Sequence, residues 1–400
     1  MDDEIELVSD GDGLAIVGDK SAVERYLRSA GLWSDSRELD LGRLRPLLIL
    51  GSDVAQAASE IAAKAGRWIK LTEESARLVA EDGLMDSKVE GESHLMIGDP
   101  GAVRSWLQAE TGTGALLTNP EVLSGIAGIM AQASKQQNMA EITAYLASID
   151  EKVDDVLAKV DDTVLKDMRG ARFQIRRAMT MREHEGYVTG DAWSEVQNAS
   201  GKLADVQGYA LLQLETIAKQ LEGKSSVGGL SLTTGDAKGD VREWLAVLAE
   251  TFQLQEAFDV LVLDRALVEP PTVADSRRRG LEADRTDRID LVYRHTEHLL
   301  TRMDMAVERA NSKMLWARTK SLAVVDAGNQ MAVGVHEFRD LLGIKDELRS
   351  WDARQLSPSL DVGAKAIQGA KDNGPRAAAI MTLVGAAAVL RKKAGGTDAA

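Results

Sequence analysis

Residues 139–164 read MAEITAYLASIDEKVDDVLAKVDDTV, and their apolar positions recur with a regular step. Met139, Ile142, Leu146, Ile149, Val153, Val156 and Val160 follow one another at alternating spacings of three and four residues. That is the 3.5-residue period of a supercoiled helical seam, not the 3.6-residue period of a lone surface helix. Beyond Val160 the steps to Val164 and Met168 are both four, a stutter that relaxes the supercoil. The pattern predicts one long heptad-patterned helix that serves as an arm of an intramolecular hairpin.

Upstream, Asn119-Pro120-Glu121 is a helix start, with a capping side chain, proline at the first helical position and an acid in the first turn. Downstream, the helical pattern runs through Ile175 and Met179 to Arg182. A continuous helix over 120–182 would be about 95 Å long, with Gly125, Gly128 and Gly170 as places for a bend. Residues 185–190 (EGYVTG) read as a tight loop, and Asp191 as the cap of a return helix carrying Trp193, Val196, Leu203, Val206, Leu214 and Leu221 inward. Residues 119–222 are thus expected to form a long antiparallel helical hairpin.

Residues 1–112 read as a small α+β unit. Leu14-Ala15-Ile16-Val17 predicts a strand, Gly18-Asp19 a turn, and Ser21 onward a helix. About 80 residues later Met96-Ile97-Gly98-Asp99 and Ala102-Val103 echo the pattern, which suggests an internal strand–turn–helix repeat. Ser52 caps a further helix, residues 67–71 fit a short edge strand, and residues 72–80 fit a short helix.

Residues 223–239 (GKSSVGGLSLTTGDAKG) are rich in Gly, Ser and Thr and are expected to be a flexible linker. Asp240 and Glu243 resemble a capping box opening a helical bundle over 240–356. Pro270-Pro271 punctuates that bundle and Gly343 ends its last helix, while 357–400 is a Gly/Ala-rich tail. The expected fold class is therefore mainly α, with a small N-terminal α+β unit followed by a long helical hairpin and a helical bundle. Composition agrees. Only 4% of residues are aromatic and seven of 400 are proline, a mix that suits helix packing better than a β-sandwich.

The formal net charge of −15 opposes the phosphate backbone, so nucleic acid is not an expected partner. The absence of cysteine excludes disulfides, thiolate metal sites and cysteine nucleophiles. Met1-Asp2-Asp3-Glu4 lacks the basic and apolar regions of a signal peptide, and a cytoplasmic location is expected, with peripheral membrane contact as the variant.

The chemical motifs are weak. Residues 13–21 invite a phosphate-loop reading, but Asp19 intrudes before Lys20-Ser21, and Leu14-Ala15-Ile16-Val17 occupies the place of the amide cradle. The bland reading, a structural turn, is preferred. His295 and His298 are one turn apart, yet two imidazoles are too few for a zinc site, and no Glu-x-x-His pair is present. No Gly-x-Ser-x-Gly element supports a serine hydrolase. No catalytic residue, cofactor or metal is assigned.

Two regions remain as candidate contact surfaces. Arg169, Arg172, Arg176 and Arg177 form a basic stretch suited to an anion or a membrane head group, or to acids of a neighbouring helix. The segment 377–390 is uncharged, with Ile380, Met381, Leu383, Val384, Val389 and Leu390 as its apolar side chains, and Arg391, Lys392 and Lys393 follow it. At about 21 Å as a helix it is short for a hydrocarbon core of about 30 Å. It fits a buried helix, or a membrane-touching anchor with snorkelling basic flanks. The expected function is a non-enzymatic helical assembly or interaction protein whose partner is itself or another helical protein. The alternative is a membrane-active helical protein, a peripheral scaffold or pore-forming effector that uses the C-terminal apolar segment.

Overall fold

The computed structural model describes residues 5–10, 13–49, 52–71, 85–86, 92–99, 102–110, 120–149, 153–159 and 162–354. The chain is mainly α, with a small N-terminal antiparallel sheet followed by helices. Strands β1 (Ile5–Ser9), β2 (Gly13–Gly18), β3 (Arg37–Leu39) and β4 (Ala65–Lys70) make a four-stranded sheet in the order β1-β2-β4-β3, with antiparallel pairing throughout. Strand β4 is interior, so residues 67–71 are not the edge the sequence suggested.

β2 is a continuous apolar run because both of its faces are covered. Leu14 and Ile16 pack with Val23 and Leu27 of α1 (Lys20–Ser29). Ala15 and Val17 face a 3-10 stretch (Leu41–Ile49), α2 (Ser52–Ala62) and the start of α3 (Pro120–Ile149), where Val122, Ile126 and Met130 are buried. Gly13 is required by packing. A Cβ there would lie 2.1 Å from the indole nitrogen of Trp68 and 3.0 Å from the carbonyl oxygen of Ile69.

The second sheet corrects the expected repeat. β5 (Met85–Asp86), β6 (Glu92–Asp99) and β7 (Ala102–Glu110) form an antiparallel sheet in that order, with Asp99 opposite Ala102. Residues 102–110 are thus a strand and not a helix. After Asp19 the sequence continues Lys20-Ser21, and Asp19 caps α1 by accepting from the Ser21 amide at 2.9 Å. After Asp99 it continues Pro100-Gly101, a turn dipeptide, and then alternates Val103, Ser105, Leu107 with Arg104, Trp106, Gln108 at the period of a strand. The expected helix over 72–80 lies outside the described residues.

The heptad-patterned stretch 139–164 is not one regular helix, because residues 158–159 form a turn after α4 (Val153–Leu157). Among the described residues it is shared by the end of α3, by α4 and by the start of α5 (Asp162–Glu185), which has an acid in its first turn. The apolar register still points inward, since Ile142, Ile149, Val153 and Val156 are buried. α4 also buries Leu157, which widens its inner face beyond a two-position seam. The turn after α5 falls where expected, with Gly186 at φ +86. The return arm is likewise divided, into α6 (Gly190–Val196) and α7 (Ala199–Glu222), and its cap is Thr189 in place of Asp191.

The expected linker 223–239 is also corrected, because α8 (Val227–Ala266) begins within it and passes through Asp240 without a break. Val227, Leu230, Thr234, Ala237 and Val241 are buried at steps of three and four. Ser226 opens the helix by accepting from the Gly229 amide at 3.1 Å. Burial of that stripe outweighs the low helix propensity of its glycines. α9 (Pro271–Ser312) and α10 (Arg318–Leu341) complete the described helices, and Gly343 at φ +84 terminates α10 as expected.

The chain divides into two compact units, residues 1–209 with 246–290, and residues 210–245 with 291–400. None of the three crossing points, 209/210, 245/246 and 290/291, coincides with residues 119 or 223–239. The first unit holds both sheets, helices α1 to α6 and the 246–290 portions of α8 and α9. The second takes its buried apolar residues from Leu211 and Leu214, Leu230 and Val241, Leu299 and Met303, and Met331 and Phe338.

The Gly13 niche gives a direct test. Gly13→Ala should lower stability by about 1–3 kcal/mol through overpacking against the buried Trp68, read as a lower urea midpoint at unchanged slope. An unmoved midpoint would show that the indole has room to shift.

Candidate functional site

α5 turns Met168, Ala171, Ile175 and Ala178 inward. Its opposite face carries Lys166, Arg169, Phe173, Arg176 and Arg177, all exposed. Lys166, Arg169 and Phe173 are three and four apart, and Arg176 and Arg177 lie three and four beyond Phe173, so they share one side of the helix. Phe173 is 70% exposed at its centre. A large apolar ring held outward by a regular helix, and ringed by cations, is the most unusual surface feature of the first unit.

The four predicted arginines differ in their surroundings. Arg169 approaches Asp154 at 3.7 Å, and Arg177 meets Glu195 of α6 at 3.0 Å. Both pairs are open to solvent and of little energetic weight. Arg172 is turned inward, with Asp154 at 2.9 Å and Glu250 of α8 at 2.7 Å, and it serves the packing of α5 on its neighbours. Arg176 and Lys166 have no ion pair among the described residues. The sequence pattern singled out the cations and not Phe173. The signal for the ring was present, four residues after Arg169 and three before Arg176. Arg391, Lys392, Lys393 and the apolar side chains of 377–390 lie outside the described residues.

Three other places could hold chemistry. A cleft of about 1010 Å³ lies beside Gly18, Lys20, Trp33, Asp40 and Arg67. Asp19 occupies the start of α1 there, and its hydrogen bonds with Ser21 hold its carboxyl below the usual carboxylate range. A carboxylate on those amides leaves no place for a phosphate, so residues 13–21 are a strand and a cap. The guanidinium of Arg67 lies 4.1 Å from the centre of the Trp33 ring and donates to the Ser36 carbonyl. The cleft has no paired nucleophile and base.

Of the histidine pair, His298 is occupied. Arg302 donates to Nε2 of His298 at 3.0 Å, so that nitrogen is the acceptor, and Nδ1 carries the proton towards Glu215 at 2.8 Å. No group of three or more His, Cys, Asp or Glu side chains able to hold a metal occurs among the described residues.

The third place is a line of buried acids on α8. Glu256 and Asp259 are almost wholly enclosed, and Lys135 of α3 lies between them, 3.0 Å from one and 3.1 Å from the other. Arg285 of α9 meets Glu256 at 2.7 Å, and Arg288 reaches Asp259 at 4.0 Å. Burial pushes the Asp259 carboxyl up, and the cations beside it only partly offset that. Burial acts on Glu256 too, but Lys135 and Arg285 outweigh it and hold the carboxyl below its ordinary value.

No family model, curated protein or solved structure matches this chain.

Replacing the cation tests the buried line. Lys135→Met should cost about 3–5 kcal/mol at pH 7, because two buried carboxylates lose a shared partner. Both carboxyls then titrate higher in the folded state than in the unfolded state, which costs stability above their unfolded range and relieves it as they take protons. The gap between wild type and variant in urea melts should narrow from pH 7 to pH 5. A gap that stays constant would mean that water reaches the acids.

Proposed function

We propose that this chain is a non-enzymatic helical assembly or interaction protein that associates with copies of itself through the outer face of α5. The observation that carries the reading is Phe173, exposed on a regular helix among Lys166, Arg169, Arg176 and Arg177. A ring already held by its helix loses little freedom on docking, so most of its buried area is available as affinity. The chain is acidic overall, at −15, so a basic patch on one copy is complementary to the prevailing surface of another. Such a contact joins two different faces.

Sedimentation velocity over a concentration series checks this. The wild-type chain should associate, and raising the salt should weaken the association by screening. Phe173→Ala should weaken it by about 2 kcal/mol, roughly 30-fold in Kd, as for an aromatic anchor. A wild-type monomer at every concentration would sink the reading.

The same face supports a second reading, contact with an anionic membrane surface, since cations around an exposed aromatic ring suit head groups. No helix among the described residues is long and apolar enough to cross a membrane, so the contact would be superficial. Flotation with vesicles containing phosphatidylserine should then lift the full chain, and less of the Arg176→Glu variant. If a chain ending at Asn373 floats equally well, segment 377–390 is not an anchor.

A further inference from the structure

After Gly343 the chain leaves α10 and continues to Arg354 without regular secondary structure. This segment is held to α9 and α10 of the second unit almost wholly by polar contacts. Asp346 is gripped by Arg339 and by His336, the latter at 3.1 Å. Arg349 reaches Glu297 at 2.7 Å and Asp304 at 3.2 Å. Trp351 donates its indole N–H to Asp304 at 2.6 Å. Its ring lies against Gly328, where a Cβ would stand 3.3 Å from the ring and 2.8 Å from Met303.

The backbone of the segment is read by two asparagines. Asn329 accepts from the Trp351 amide at 2.8 Å and donates to the Trp351 carbonyl at 3.0 Å. Asn311 accepts from the Arg354 amide at 2.9 Å and donates to the Asp352 carbonyl at 3.0 Å. A side-chain amide offers one donor face and one acceptor oxygen, the same pair a neighbouring strand would offer. Two such amides bind an extended chain by its main chain, as an added strand is bound at a sheet edge. Specificity then comes from side chains, a flat niche at Gly328 for the tryptophan and two acids for the arginine before it.

We propose that this face of α9 and α10 is a recognition groove for an extended peptide carrying Arg-X-Trp, loaded in cis by residues 349–354 and able to accept the same segment from a second copy of the chain. The fastenings favour exchange. Leu348 is exposed and Ile344 only half-buried, so the segment between Gly343 and Trp351 contributes no fully buried apolar residue. Gly343 supplies a left-handed pivot at the end of α10. A short tether gives the cis segment an effective concentration near millimolar, so a free peptide binds well only once that segment is released.

The test uses the full chain and a fluorescein-labelled peptide of residues 346–355. The double variant Arg349→Ala/Trp351→Ala frees the groove. Fluorescence anisotropy should show saturable binding to it, at least tenfold tighter than to the wild type. Adding Asn329→Ala, or using a peptide with alanine in place of tryptophan, should weaken binding at least tenfold. If the double variant does not retain its circular dichroism spectrum, Arg349→Ala alone keeps Trp351 seated and should show intermediate binding. A folded variant that ignores the peptide, or binds it equally well without Asn329, overturns the groove. The result is separable from the α5 face, because Phe173→Ala should leave peptide binding unchanged. A chain that associates but ignores the peptide would overturn the groove and keep the assembly reading.

Discussion

The arrangement of the first unit depends on neutralising three buried carboxylates on one largely apolar face of α8. Val247, Leu248, Phe252, Val260, Leu261 and Leu263 are buried there, and so are Glu256, Asp259 and Asp264. Apolar side chains tolerate repacking at modest cost. A buried carboxylate does not tolerate losing its partner. Lys135 of α3, Arg182 of α5, and Arg285 and Arg288 of α9 must therefore each reach a particular turn of α8. A slip of any of these helices would strand a charge, so the ion pairs select the register from among many comparable apolar packings.

Asp264 extends that control to the chain reversal after α5. One of its oxygens accepts from Arg182 at 3.0 Å and the other from the Val188 amide at 2.7 Å. Arg182 also donates to Gln132 of α3. Arg43 then donates to the carbonyls of Arg182 and Gly186 at 3.2 and 3.0 Å, which ties the 3-10 stretch under the sheet to the same turn. A single carboxylate thus couples α8, α5, the turn to α6 and, through Arg182 and Arg43, the N-terminal layers.

Features governed by local chemistry were legible in the sequence. The helix start at Pro120, the turn after Glu185 and the stop at Gly343 all depend on residues adjacent to the event. Features governed by distant partners were not. The seam of 139–164 is periodic whether or not one helix carries it, and its interruption shows only in the buried face that α4 presents. Residues 227–239 read as a linker by composition, yet their buried stripe at 227, 230, 234, 237 and 241 was there to count. Gly13 reads as part of a structural turn, and the reason for it, room for Trp68 fifty-five positions away, was not visible. At the α5 face the cations were visible, whereas which of them turn inward was decided by Glu250, a residue of another helix.

The distribution of polarity bears on function. Strongly displaced carboxyls often mark catalytic groups, and Asp259 and Glu256 have that character. Neither lines the cleft beside Gly18 or the small cavity beside Gly128. Asp259 is 0% exposed, and each of its charged neighbours is a cation or its own partner acid. A general acid or base must reach a substrate atom within hydrogen-bonding distance, and the partners of these groups are side chains of α3, α8 and α9. Their displaced titration is thus a by-product of specifying the fold. The surface shows the converse, with Phe173 on α5 and a tryptophan-bearing segment fastened by polar contacts in the second unit. Buried charge on α8 fixes register, while Phe173 stands open on α5 and Trp351 is half-exposed. That distribution supports the proposed interaction role, in which rigid helices would present the contacts.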